Sequence, residues 1–160
     1  MTARLSSEEV ASLYGRYANM VFQIALILLR NVPDAEDVVQ SVFRKVLEGR
    51  VDFHGPEHEK AWFITAARNE CKNLLRHWWR TKRADGAELD NLAWEQPGDG
   101  ELWELVLALP EREKLAVYLY YYQGYSSDET ARIMNAKPAT VRSWLARARR
   151  KLKNLLEEDG

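Results

Sequence analysis

The sequence predicts an all-α fold made of two small helical modules. Apolar residues recur at the three-and-four spacing of amphipathic helices through most of the chain, no stretch alternates with the period of a strand, and the segment starts carry helix caps. The length of 160 residues admits one medium domain or two small ones, and 46% hydrophobic with 29% charged residues is the balance of a chain that builds a core.

The first helix is expected to start at Ser6 or Ser7, with Ser6 and Glu9 forming a capping box, and to end near Asn31 before Pro33. Its apolar stripe is Val10, Leu13, Tyr14, Tyr17, Val21, Ile24, Ala25 and Leu28. A second helix opens at Pro33 or Asp34, where proline fits the first turn and Asp34, Glu36 and Asp37 favour the positive end of the helix dipole. Its stripe is Ala35, Val38, Val39, Val42, Phe43, Val46 and Leu47. Residues 49–59, with Gly55 and Pro56, carry turn chemistry, and a third helix is expected from Lys60 to Lys82 on Trp62, Phe63, Ala66, Ala67, Leu74 and Leu75.

After a break, Leu102, Leu105, Val106 and Leu109 make a short helix stopped by Pro110, and the next runs from Arg112 to Gln123 until Gly124 ends it. Ser126 or Ser127 then caps a helix to Met134, a tight turn follows at residues 135–137, and a last helix spans Pro138 to Glu157. The expected modules are residues 1–84 and 99–160, with residues 85–98 as the linker.

A formal net charge of -1 conceals strong segregation. From Lys60 to Arg83 seven basic residues face Glu70 alone, a net +6, and from Lys137 to Lys153 there are seven basic residues and no acid. Between them, Asp85 to Glu104 holds seven acids and no base, with Gly86, Pro97, Gly98 and Gly100, which marks a linker that phosphate repels. Two nucleic-acid-facing modules are the expectation, against the plainer alternative of two solvated helix faces.

The single cysteine, Cys71, forms no internal disulfide and completes no zinc motif, so a buried thiol in a reducing cytoplasm is expected. The first ten residues lack a basic start and an apolar signal core, and the most apolar stretch, Val21 to Leu29, is short for a bilayer, so neither secretion nor membrane insertion is expected.

The C-terminal pair of helices has helix-turn-helix arithmetic. Thr130, Ala131 and Met134 pack inward on the first helix and Val141 and Leu145 on the second, which leaves Lys137, Thr140, Arg142, Ser143, Arg147 and Arg150 to face a major groove and its phosphates. Arg142 and Ser143 are the candidates for base edges, where one bidentate Arg is worth roughly 1 to 3 kcal/mol of discrimination. In the third helix, Trp62, Phe63, Trp78 and Trp79 interleave with Arg68, Lys72, Arg76 and Arg80, a pattern for stacking unpaired bases while cations hold the backbone. Trp62 and Phe63 fit a core equally well. Polar positions of the second helix, Asp34, Asp37, Gln40, Ser41, Arg44 and Lys45, form either a protein-binding face or a solvated one.

These residues resemble the extracytoplasmic-function (ECF) group of bacterial sigma factors over nearly the whole chain. DAEDVVQSVF (Asp34 to Phe43) resembles the segment that grips the polymerase clamp helices, WFITAARNECKNLLRHWWR (Trp62 to Arg80) the segment that melts and reads the -10 element, and LPEREKLAVYLYYYQGYSSDETARIMNAKPATVRSWLARARRKL the module that reads the -35 element. The resemblance implies core RNA polymerase, duplex and melted promoter DNA, and an anti-sigma factor as partners, with no catalytic residue, metal or cofactor. It places polymerase contacts at Asp34, Asp37, Gln40, Phe43 and Arg44, and -10 contacts at Arg68, Asn69, Lys72, Asn73, Arg76, Trp78, Trp79 and Arg80. Asn73 stands where the group commonly has Asp, His77 to Trp79 replace a more basic pattern, and Ala139 and Trp144 replace a common Gly and Arg. A helix-turn-helix regulator that never engages polymerase is the rival reading. An enzyme is disfavoured, since His54 and His58 beside Glu57 and Glu59 are the nearest approach to a catalytic cluster.

Overall fold

Three helix starts, at Ser6, Asn31 and Ser126, are marked by a side chain that accepts from backbone N–H groups the helix itself leaves open. In the computed structural model, residues 5–49, 51–81 and 100–159 are described, with side chains for 5–49, 51–76 and 100–157. The chain divides into two compact units, Met1–Glu95 and Gln96–Gly160. The acidic linker expected at residues 85–98 lies outside the described residues.

The first unit is a three-helix bundle of α1 (Ser7–Leu29), α2 (Val32–Leu47) and α3 (Pro56–Thr81), each packed on the other two. Ser6 caps α1 by the expected capping box with Glu9. Arg30, in the left-handed region at φ 54°, closes α1, and the very next residue, Asn31, caps α2 by accepting from Asp34 N–H at 2.9 Å. The connection has no slack. Helix α3 starts four residues earlier than expected, because Pro56 occupies the first helical turn, where its missing N–H costs nothing, rather than a turn.

Burial follows the amphipathic pattern with informative exceptions. Leu13, Tyr17, Val21, Ile24 and Ala25 of α1 and Ala35, Val38, Val39, Val42 and Val46 of α2 are buried, but Tyr14 and Leu47, expected inside, are exposed at 47% and 58%. Phe63 is the hub of the bundle: its ring stacks on Tyr17 at 4.6 Å and Phe43 at 5.1 Å, and meets Trp62 edge-on at 4.9 Å. Ile64, Ala67 and the Cys71 thiol complete the buried side of α3, as expected for Cys71. Two ion pairs tie the helices at the surface, Arg16 to Glu59 at 2.7 Å and Lys45 to Glu70 at 2.6 Å, while Tyr17 Oη donates to Glu59 at 2.8 Å.

The second unit holds α4 (Gly100–Leu107), α5 (Glu111–Val117), a π-helical turn (Tyr118–Tyr122), α6 (Ser127–Met134) and α7 (Pro138–Asp159). The sequence pattern predicts ordinary α-helix where the π turn stands. The turn shows in the bond from Gln123 N–H to Tyr118 O at 3.0 Å, five residues back, and lets Tyr118 and Tyr122 stack around Trp103. Trp103, missing from the expected apolar stripe, is 1% exposed and anchors this cluster. Ser126 caps α6 with a second capping box to Glu129, and Asn135 at φ 54° ends it. Thr130, Ala131, Val141 and Leu145 are buried as expected, joined by Ala148, whereas Met134 is only half-buried.

Two outcomes follow for stability. Ser126→Ala removes a cap acceptor and should lower the unfolding free energy of the second unit by about 1 kcal/mol in urea titration. Burial, offset in part by a hydrogen bond from Gln123, holds the Tyr118 hydroxyl well above its ordinary range. The unfolded phenol ionises near pH 10 and the folded one resists, so stability is full below that pH and falls as pH rises beyond it. Tyr118→Phe should flatten that alkaline decline in thermal melts followed by circular dichroism.

Candidate functional site

Helix α7 spends one side on its own unit and turns the rest outward. Val141, Leu145 and Ala148 form the buried seam against α5 and α6. Ala139, Arg142, Ser143, Ala146 and Arg150, spaced by three and four, therefore share the opposite side. Arg142, Ser143, Arg147, Arg150 and the preceding Lys137 are exposed, and Thr140 is half-buried at the edge. Of the six residues expected to face duplex DNA, Arg142, Ser143 and Arg150 share the outward side of α7, with Lys137, Thr140 and Arg147 flanking it.

They are not equivalent. Arg147 Nε lies 3.8 Å from Glu113 of α5, and Lys151 donates to both oxygens of the same carboxylate at 3.0 Å. Arg149 Nη1 donates to Tyr121 Oη at 2.9 Å, away from the outward side. Arg112 lies over the Trp144 ring at 5.9 Å, which steadies the half-buried indole. Arg142 and Arg150 carry no ion pair among the described residues. Glu113 and Lys151 were missed by the sequence reading. They stand 38 residues apart, so no local spacing links them.

On α3 the buried seam of Phe63, Ile64, Ala67 and Cys71 sends Asn69, Lys72, Asn73 and Arg76 outward, with Arg68 half-buried beside them. Glu70, the one acid of this stretch, is turned to Lys45 of α2 and so does not oppose the cations on the open side. Trp62 is half-buried and packs edge-on against Phe53 of the preceding loop at 5.6 Å, so it serves the core in part, and Phe53 joins the aromatic surface unforeseen. Trp78, Trp79 and Arg80 belong to the last turns of α3, and their side chains lie outside the described residues.

On α2, Asp37, Gln40 and Arg44 are exposed and share a side by their spacing. Asp34 is a correction: at 2% exposure its side chain belongs to the buried start of the helix and not to that surface. Phe43 is also buried, 5% exposed, and shapes the face from beneath by stacking on Phe63 and tilting 5.0 Å from Tyr14. The exposed Tyr14 and Leu47 border it, an apolar margin that expecting every stripe residue inside had hidden. Among the described residues no group of three His, Cys, Asp or Glu side chains is placed to hold a metal ion, and no helix is long and apolar enough to cross a membrane.

Comparison with known proteins adds an independent line. Residues 13–81 match the family model for Sigma-70 region 2, and residues 99–152 that for Sigma-70, region 4. The chain is 29% identical to a probable RNA polymerase sigma factor RfaY of Xanthomonas campestris over 89% of its length, and it spans only 40% of that relative. It is 32% identical to the ECF RNA polymerase sigma factor EcfG of Rhodopseudomonas palustris over 85% of the chain and 78% of the relative. In fold it resembles the sigma factor RpoE of Bartonella quintana, solved in complex with the anti-sigma factor NepR, with a TM-score of 0.67 at 23% identity, covering 96% of this chain and 97% of that one. With both region models matched in order and a curated relative spanned over most of its length, the chain belongs to the ECF RNA polymerase sigma factors.

Proposed function

We propose that the protein binds core RNA polymerase and directs it to a particular class of promoters, with the first unit reading the -10 element and the second the -35 element. The observation that carries this reading is the pairing of two separate basic helices, α3 and α7, each anchored by an apolar seam and each presenting cations outward. Arg142 and Ser143 read base edges in the major groove, while Lys137, Thr140, Arg147 and Arg150 meet the phosphates. On α3, Asn69, Lys72, Asn73 and Arg76, with Arg68 at the edge and Trp78, Trp79 and Arg80 further along the helix, hold the unpaired strand by stacking and charge.

Asp37, Gln40 and Arg44 are the polymerase-facing residues, supported by Phe43 below and bordered by Tyr14 and Leu47. Asp34 acts through the helix start. An anti-sigma factor is the further partner: the similar RpoE chain was solved with one, and the second unit carries an open apolar groove of about 680 Å³ lined by Leu102, Val106, Val117, Tyr121, Leu152 and Leu156. The protein works in the cytoplasm without catalysing a reaction of its own.

Run-off transcription with purified core polymerase and a pool of promoter-like templates tests the whole reading. Transcripts from defined start sites should appear only when the protein is added. Duplex binding without binding or redirection of polymerase would replace the reading with that of a helix-turn-helix regulator. Gln40→Ala with Arg44→Ala should weaken core binding by about tenfold or more in a fluorescence titration, while thermal stability stays near wild type, as expected for exposed interface positions. Arg142→Ala should relax selection at one -35 base pair, at a cost of about 1 to 3 kcal/mol in holoenzyme binding to the preferred promoter.

A further inference from the structure

Glu113 is an anion buried beneath the most cationic surface of the second unit. It is 6% exposed, with both carboxylate oxygens 3.0 Å from Lys151 Nζ and one of them 3.8 Å from Arg147 Nε. Both cations come from α7, one helical turn apart, and both keep about half of their side chains in solvent, 45% for Lys151 and 51% for Arg147. A buried charge needs a close partner, and Lys151 supplies it with two hydrogen bonds.

Arg147 is then held differently, by attraction at a distance beyond a hydrogen bond and through one edge of its guanidinium. That group is a rigid plane with five donors in a fixed fork, so drawing its Nε edge toward Glu113 orients the rest of the plane. A freely solvated Arg would instead sample many rotamers and meet any phosphate within reach. Next to Glu113 on α5, Arg112 lies over the Trp144 ring, so the same short helix steadies α7 at a second place.

We propose that Glu113 is a positioning residue for DNA reading, which sets the orientation in which Arg147 of α7 meets its phosphate and keeps Lys151 from acting as a further, free phosphate-seeking cation. The proposal rests on the reading that α7 meets DNA. Its physical content is a trade: affinity for DNA in general is given up, and preference for the right sequence is enhanced. A strut that merely joins α5 to α7 would affect both kinds of DNA alike.

The test uses reconstituted holoenzyme and two duplexes, a promoter recovered by run-off transcription and the same duplex with its upstream element scrambled. Affinities are measured over a series of salt concentrations. Glu113→Gln frees Lys151 for a phosphate while Arg147, which already meets one, loses its hold, so the slope of log affinity against log salt should steepen by about 0.9 on both duplexes, the increment for one further phosphate neutralised. Preference for the intact promoter should fall by about three- to tenfold. Glu113→Gln combined with Lys151→Met removes the buried pair as a unit; its slope should return toward wild type, yet its preference should stay reduced because Arg147 remains unheld.

Equal weakening on both duplexes with an unchanged slope would mean that Glu113 is only a strut, and the proposal would fall. Unchanged slope and preference would overturn it as well. Should Glu113→Gln lose its helical circular dichroism, the double variant decides alone, and an unchanged preference there sinks the proposal. A wild-type holoenzyme indifferent to the upstream element would instead remove the DNA reading of α7, and with it the role of Glu113.

Discussion

Burial of one narrow stripe on each basic helix is the constraint from which the rest of the molecule follows. Successive residues of an α-helix turn by about 100°, so fixing which residues are inside fixes the direction of every other one. On α7 the inside is Val141, Leu145 and Ala148; on α3 it is Phe63, Ile64, Ala67 and Cys71. A slip of α7 by one residue would drive Arg142 into the place of Val141, which a dry core does not accept. The buried apolar seam thereby aims the polar surface.

The same arrangement deals with the acids that share those regions. Glu70 is turned sideways to Lys45, and Glu113 lies underneath, bonded to Lys151. Each outward side is left cationic although acids lie nearby in sequence or in space. Exposed pairs such as Arg16 with Glu59 contribute little to stability. The stacked rings of Tyr17, Phe43 and Phe63 contribute far more to the first unit by area removed from water.

Much of this was legible in the chain because it rests on local signals. The capping boxes at Ser6 and Ser126, the breaks at Pro110 and Gly124, and the seam of Val141 and Leu145 all depend on residues within one or two turns. What escaped notice depends on neighbours distant in sequence or on competing local options. Pro56 serves a turn or a first helical turn equally well, and the chain chose the latter. Tyr14 and Leu47 keep the helical spacing of their stripes but lie at the margins, where the bundle has no third surface to cover them. Asp34 looked like a surface acid because its burial comes from the tight α1–α2 corner, and the Glu113–Lys151 bond crosses 38 residues. The π turn at Tyr118–Tyr122 also has no simple sequence mark, since it arises from packing three aromatic side chains around one another, with Trp103 among them.

The corner at Arg30 and Asn31 bears on how the protein comes into being. With one helix ending and the next capped at adjacent residues, α1 and α2 meet through contacts that close almost no loop, and such contacts form early and fast. The hairpin leaves the ribosome ahead of α3, and α3 completes its bundle before the second unit has been synthesised. The α2 surface is in this way finished while α7 is still untranslated, so the first unit of a nascent chain takes its final form before the second has a core to build on.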